Sequence, residues 1–107
     1  MYYDKRTEVV AEAPFKPITK PLEAWQQTLL EAAHYLRVHG WCTHHYERDG
    51  LVCMIGALRI VSDYYAPTEY DRLYHFLGGT PEHWNDYHAK SKEQVIEALE
   101  NCALKGE

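Results

Sequence analysis

The sequence predicts a small all-α, four-helix bundle-like domain with an extended N-terminal arm and an ordered loop or short hairpin near residues 41–50. Three observations lead there. Apolar residues recur at helical spacing in two well-separated segments, residues 22–36 and 95–103. A third segment, residues 51–65, is apolar on almost every side, as a helix in the middle of a bundle is. Glycines, prolines and capping residues punctuate the chain at short intervals, which gives short connections between neighbouring helices. The expected organisation is an arm over residues 1–18 and one helical domain over 19–107.

In the arm, Thr7-Glu8-Val9-Val10 suits a short strand, and Pro14, Pro17 and Pro21 impose extended or turn geometry on what precedes them. Tyr2, Tyr3, Val9, Val10 and Phe15 make it apolar enough to dock on the body or on a partner. The first helix takes Thr19 as its N-cap and Pro21 in its first turn, where a missing N–H costs nothing. Leu22, Trp25, Leu29, Ala32, Ala33 and Leu36 share its apolar face, and Gly40 closes it. Residues 41–50 contain the turn signal Asp49-Gly50, with Thr43 and Tyr46 favouring extended backbone. Residues 51–65 read as the second helix, with Arg59 the main polar interruption. A short buried strand over residues 51–55 is the competing reading, because an all-apolar run has no diagnostic period. Thr68-Glu69-Tyr70-Asp71 resembles a capping box, with Asp in place of Glu, opening a third helix that Gly78-Gly79 ends. Thr80-Pro81 restarts a short turn through Trp84-Asn85-Asp86. Ser91-Lys92-Glu93-Gln94 is a regular capping box for the last helix, whose face carries Val95, Ile96, Leu99, Cys102 and Ala103.

Composition narrows the function classes. At 107 residues and 46% hydrophobic, the chain can bury one modest core and is too apolar for long disorder. No apolar run approaches the ~20 residues of a membrane span, and the first residues lack the apolar stretch of a secretory signal. Sixteen acidic and eleven basic residues give a net charge of −5, with Lys and Arg scattered. No basic stripe exists to displace counterions from a phosphate backbone, so nucleic acid is not expected, whereas a basic protein partner suits the charge. Three cysteines without a CxxC pair point to a reducing, cytoplasmic setting.

Four constellations carry potential chemistry. Cys53 follows Asp49-Gly50 in the first turn of the expected central helix, where the helix dipole favours a thiolate. Gly56 and Ala57 lie one turn further on the same face, so another helix or a ligand uses the space they leave. An inert, packed thiol is the commoner account of such a cysteine. A nucleophile with His44, His45, His75, His83 or His88 as base is the sharper one. Cys42, His44 and His45, with Cys53, offer metal-ligand chemistry in one loop, but the second close pair of a zinc site is missing; no metal and no cofactor is expected. Trp84-Asn85-Asp86 suits local capping and a cover for the bundle end ahead of a ligand contact. Nine tyrosines are many for this length. Tyr64, Tyr65, Tyr70 and Tyr74 crowd around the third helix, as at interfaces.

The spaced set Gly40-Trp41, Arg48-Asp49-Gly50, Cys53, Gly56-Ala57-Leu58 and Trp84-Asn85-Asp86 resembles an uncharacterised domain-of-unknown-function family of actinobacteria and their phages, over roughly residues 22–104. The resemblance implies a small cytosolic helical protein, phage-encoded, and carries no catalytic role to any residue. The function expected first is therefore an interaction module that binds a host protein or itself through the tyrosine-rich surface. A binder of a small, for example nucleotide-like, molecule comes second, using a groove of Cys53, Gly56 and Ala57 with Trp41 and Trp84 as walls and Asn85 and Asp86 as further candidate contacts. A Cys53-dependent hydrolase comes third.

Overall fold

The computed structural model describes residues 21–106. The extended arm expected over 1–18, and the Thr19 cap, lie outside those residues. Five helices and one two-stranded ribbon follow in the order α1 (Ala24–His39), β1 (Glu47–Arg48), β2 (Leu51–Val52), α2 (Met54–Val61), α3 (Pro67–Leu77), α4 (Pro81–His83, continuing as a π-turn over Trp84–His88) and α5 (Lys92–Lys105). The mostly helical class is the one the periodicities predict.

Helix α1 begins later than expected. Pro21 precedes it, and Glu23 occupies the N-cap, with its backbone N–H donating to Gln26 Oε1 at 2.6 Å. The predicted apolar face is buried: Trp25, Leu29, Ala32, Ala33 and Leu36 all face the interior. Its main neighbour is α5, which runs antiparallel to it and contributes Val95, Ile96, Ala98, Leu99, Cys102 and Ala103. Small residues on both helices bring the axes close. Gln26, buried at the start of α1, donates through Nε2 to the carbonyl of Ala103 at 2.7 Å, stitching the two ends together. The Ser91 cap of α5 forms as expected, its hydroxyl accepting from Gln94 N–H.

Residues 51–65 do not form one helix. Leu51 and Val52 pair with Arg48 and Glu47 around Asp49-Gly50. Both turn residues have positive φ, 55° and 84°, the pair of left-handed conformations that an Asp-Gly hairpin turn requires. Val52 also pairs in parallel with Trp41. This backbone pairing wins over helix propensity, so α2 starts only at Met54, with Cys53 as its N-cap. The strand reading of residues 51–55 thus holds for its first two positions and the helix reading for the rest. Met54 through Leu58 are buried and α2 packs on α1, but Ile60 is exposed and the helix stops at Val61. The Ser62 hydroxyl donates back to the Leu58 carbonyl at 2.6 Å, and Asp63 and Tyr64 turn left-handed.

Thr68 is not the cap of α3. Pro67 takes the first helical position and Ala66 the N-cap, since proline's fixed φ and absent N–H suit N1 better than a threonine one residue later. Gly78, left-handed, ends it. Thr80 caps α4 through its side chain and Pro81 is fully buried behind it. One apolar cluster joins α1, β2, α2, α3 and α5, with Trp41 and Trp84 packed against its edge. Among the described residues no helix is long and apolar enough to cross a membrane.

Candidate functional site

The local structure of residues 41–54 is organised by one side chain from elsewhere. The π-turn at Trp84–His88 is wider than an α-turn and turns Asn85 into the body, where it is fully buried. Its Oδ1 accepts from Trp41 Nε1 at 2.7 Å and from Met54 N–H at 3.1 Å. Its Nδ2 donates to the Cys42 carbonyl at 3.2 Å and to Asp86 Oδ1 at 2.9 Å. Beyond the Trp41–Val52 pair, a continuing parallel ladder would have run Met54 N–H to Cys42 C=O. The Asn85 amide sits in that gap and supplies both bonds, acting as an inserted peptide group. All its donors and acceptors are used, which is what a buried amide requires.

Asp86 extends the clamp outward. Its Oδ1 also accepts from the backbone N–H of His44 at 2.8 Å, holding that residue in a left-handed conformation with φ 68°. The His44 ring stays exposed, 3.7 Å from Asp86 Oδ2 and edge-on to Tyr87. The loop crosses over the start of α2, so that Cys53 N–H donates to the Tyr46 carbonyl at 3.2 Å.

This crossing closes the groove expected at Cys53, Gly56 and Ala57. A Cβ on Gly56 would collide with the Tyr46 carbonyl oxygen. Gly56 admits this loop's backbone, not a ligand or a helix. Trp41 lies inside the clamp, and Trp84 lines a separate depression with Phe76, Leu77 and His88. The two tryptophans are therefore not opposite walls of one cleft.

What opens to solvent is a neighbouring cavity of about 200 Å³ lined by His44, His45, Tyr46, Cys53, Glu82 and Asp86. Of the five histidines that could serve Cys53 as base, His44 and His45 share this cavity; His75 is on α3 beside Asp71, and His83 and His88 lie against each other on the far side of Tyr87. Cys53 is 4% exposed, and its sulfur accepts from Gly56 N–H at 3.2 Å. Burial pushes its pKa up, outweighing the backbone N–H groups of Gly56 and Ile55 that pull it down. The expected thiolate-favouring environment is thus reversed: the helix terminus is present, but desolvation dominates. Cys42 directs its sulfur to the His45 carbonyl at 3.5 Å. Among the described residues no three His, Cys, Asp or Glu side chains converge as metal ligands, so Cys42, His44 and His45 do not assemble a site.

Glu82 joins this cavity to a second one of about 290 Å³, lined by Arg59, Tyr64, Tyr65, Tyr70 and the Ser62 turn. Its Oε1 accepts from Tyr70 Oη at 2.8 Å, and Oε2 has a long contact with Tyr46 Oη at 3.5 Å. Burial first, then the Glu82 hydrogen bond, push the Tyr70 pKa from 10.0 to about 12. The Arg59 guanidinium lies over the Tyr46 ring, 3.9 Å from its centroid. Among the described residues Glu82 forms no ion pair with Lys, Arg or His. Of the four tyrosines singled out, Tyr64 and Tyr65 are 72% and 79% exposed, Tyr74 is exposed on α3, and Tyr70 is half-buried on Glu82. Sequence reasoning missed Glu82, Tyr46 and Arg59. An acid in the first turn of a Thr-Pro-capped helix reads as a dipole partner, and nothing in its spacing marks it further.

A family model matches residues 21–105, nearly all of the described chain: the family of unknown function DUF6197. The chain belongs to this family. No curated protein and no solved structure matches it. In this DUF6197 member, the residues that carried the family resemblance fall largely on the clamp. Trp41 and Asn85 bond each other, Asp49-Gly50 makes the hairpin turn, Cys53 caps α2 and Gly56 admits the loop. The motif is thus accounted for as architecture, and it holds Tyr46 and His44 beside Glu82.

Proposed function

We propose that this protein is an interaction module that binds a protein segment bearing a lysine or arginine, flanked by apolar residues, on the face around Glu82. The observation that carries the reading is Glu82 itself. A carboxylate held between two cavities by tyrosine hydroxyls, with no cation paired to it among the described residues, is a ready partner for an incoming guanidinium or ammonium. Tyr64, Tyr65 and Tyr70 around it offer aromatic faces to the same cation and apolar area to its neighbours. The net charge of −5 favours encounter with a basic partner. Asp63 and Tyr64 hold left-handed backbone, φ 56° and 66°, a costly conformation that keeps the two exposed tyrosines at the rim. Three free thiols suit the cytoplasmic setting, and a phage-encoded protein acting on a host protein is the biological form the reading takes.

A Cys53 hydrolase is a poorer account, because burial holds that sulfur as a thiol. A small free amine in the 200 Å³ cavity would use the same carboxylate and is separated by experiment. The full chain is titrated with arrayed peptides varied at one basic position. Bound peptides should share that Lys or Arg, and Glu82→Gln and Tyr65→Ala should each weaken binding by about tenfold. Unchanged binding in both variants overturns the proposal. Binding of free alkylamines as tight as that of the peptides replaces it with the small-ligand reading. A dimer in sedimentation that Tyr65→Ala dissociates replaces it with self-association.

A further inference from the structure

We propose that Cys42 and Cys53 are a modification site: on exposure to a hydroperoxide they form a reversible disulfide across the base of the 41–50 loop. The placement follows from backbone register. Trp41 pairs in parallel with Val52, and Cys42 N–H donates to the Val52 carbonyl at 3.0 Å. The next residue on each strand is a cysteine. In a parallel pair, residues that follow a bridged couple lie side by side and project to the same face. That last ladder bond holds Cys42 against the Val52–Cys53 peptide at strand spacing, ~4.8 Å, inside the ~4.4–6.8 Å between Cα atoms that a disulfide spans. The Asn85 amide parts the strands only one step further on, between Cys42 C=O and Met54 N–H, and fixes the backbone on both sides of the pair.

The two differ in access. Cys42 is half-buried and Cys53 buried, so the peroxide meets Cys42. The Cys42 thiol loses its proton to water, and its sulfur attacks the peroxide; an S–O bond forms, the O–O bond breaks, and water (or an alcohol from an organic hydroperoxide) leaves. Cys53 sulfur then attacks the sulfenic acid. The S–S bond forms, the S–O bond breaks, and the departing hydroxide takes the Cys53 proton to leave as water. Both sulfurs are oxidised and the peroxide is reduced. Burial raises the pKa of both thiols, so the reaction is slow at neutral pH and quickens as pH rises. The closed ring contains His44, His45, Tyr46 and Arg48, which ties one wall of the Glu82 cavity to the redox state.

The third cysteine is an internal control. Cys102 is fully buried between α1 and α5, away from this pair. The full chain is treated with hydrogen peroxide, the remaining thiols are alkylated, and the protein is cut with trypsin without reduction. The expected product has lost two hydrogens, joins the peptides on either side of Arg48, carries alkylated Cys102, and returns to the starting mass with dithiothreitol. Cys102→Ser should leave this product unchanged. Cys53→Ser should abolish it and leave Cys42 trapped by dimedone as a sulfenic acid. Cys42 over-oxidised or joined between molecules in the wild type, with Cys53 still a free thiol, would overturn the proposal.

Discussion

The α1–α5 pair and the junction of residues 41–54 with Asn85-Asp86 hold the molecule together by different means. The helix pair is an apolar seam of Leu29, Ala32, Ala33 and Leu36 against Val95, Leu99, Cys102 and Ala103, with one buried polar link from Gln26 Nε2 to the Ala103 carbonyl. The junction is short, half of it is exposed loop, and its geometry is set by four hydrogen bonds from one amide. Apolar burial is non-directional and tolerates exchange of one hydrophobe for another. A saturated amide does not, since each bond lost leaves a buried group unpaired. The seam supplies stability and the junction supplies uniqueness of shape where the candidate site lies.

The largest effect expected is at Asn85. Asn85→Ala orphans Trp41 Nε1, Met54 N–H and the Cys42 carbonyl and should cost about 3–5 kcal/mol in urea unfolding. Asn85→Leu should not rescue it. Leu99→Ala, fully buried in the seam, should cost about 3 kcal/mol, but Leu99→Met less than about 1.5. Equal tolerance of Asn85→Leu and Leu99→Met would erase the distinction. Gly56→Ala should cost about 2 kcal/mol, because the added Cβ meets the Tyr46 carbonyl and must lift the loop. Amide exchange in that variant should quicken at Cys53, whose N–H bonds that carbonyl, and not along α5. The smallest signal is alkaline. The Tyr70 hydroxyl has an ordinary pKa of 10.0 when unfolded and about 12 when folded, so the folded state alone keeps the proton in between. Its contribution is fully present below pH 10 and is lost as pH rises towards 12. Tyr70→Phe should flatten the fall of the urea midpoint over that interval. Cys102, raised from 9.0 to about 11 by burial, adds a similar loss from pH 9 in both proteins, so the difference between them reports Tyr70.

The same contrast decides what could be read in advance. The seam was legible because its information is periodic: every third or fourth residue of α1 and α5 is apolar, and Ser91 and Gly40 mark ends that exist. The Asp49-Gly50 turn was legible because only a few residue pairs accept two left-handed conformations. The split of residues 51–65 was not. Leu51 and Val52 look like the helix that follows them, and what separates them is Trp41 on one side and an amide 31 residues beyond Met54. Hydrophobic pattern carries no record of so distant a hydrogen bond. Trp84-Asn85-Asp86 and Cys53 stood out as residues, but their relation did not. The helix start that suggested an activated thiol is real, yet the loop laid over it sets the sulfur's state. Glu82 went unmarked because its neighbours Tyr46 and Tyr70 arrive from two other elements.

The wide turn at Trp84–His88 limits how the chain can vary in length. It accommodates one residue more than an ordinary helical turn, and that surplus lets Asn85 look inward while α5 still meets α1. Removing a single residue there would restore common α geometry and swing everything downstream by about 100° relative to everything upstream. Either the amide would leave its slot or the last helix would rotate its greasy flank into water. Insertions and deletions should therefore be admitted in the Gly78-Gly79 connection, which has open space around it, and refused five residues later.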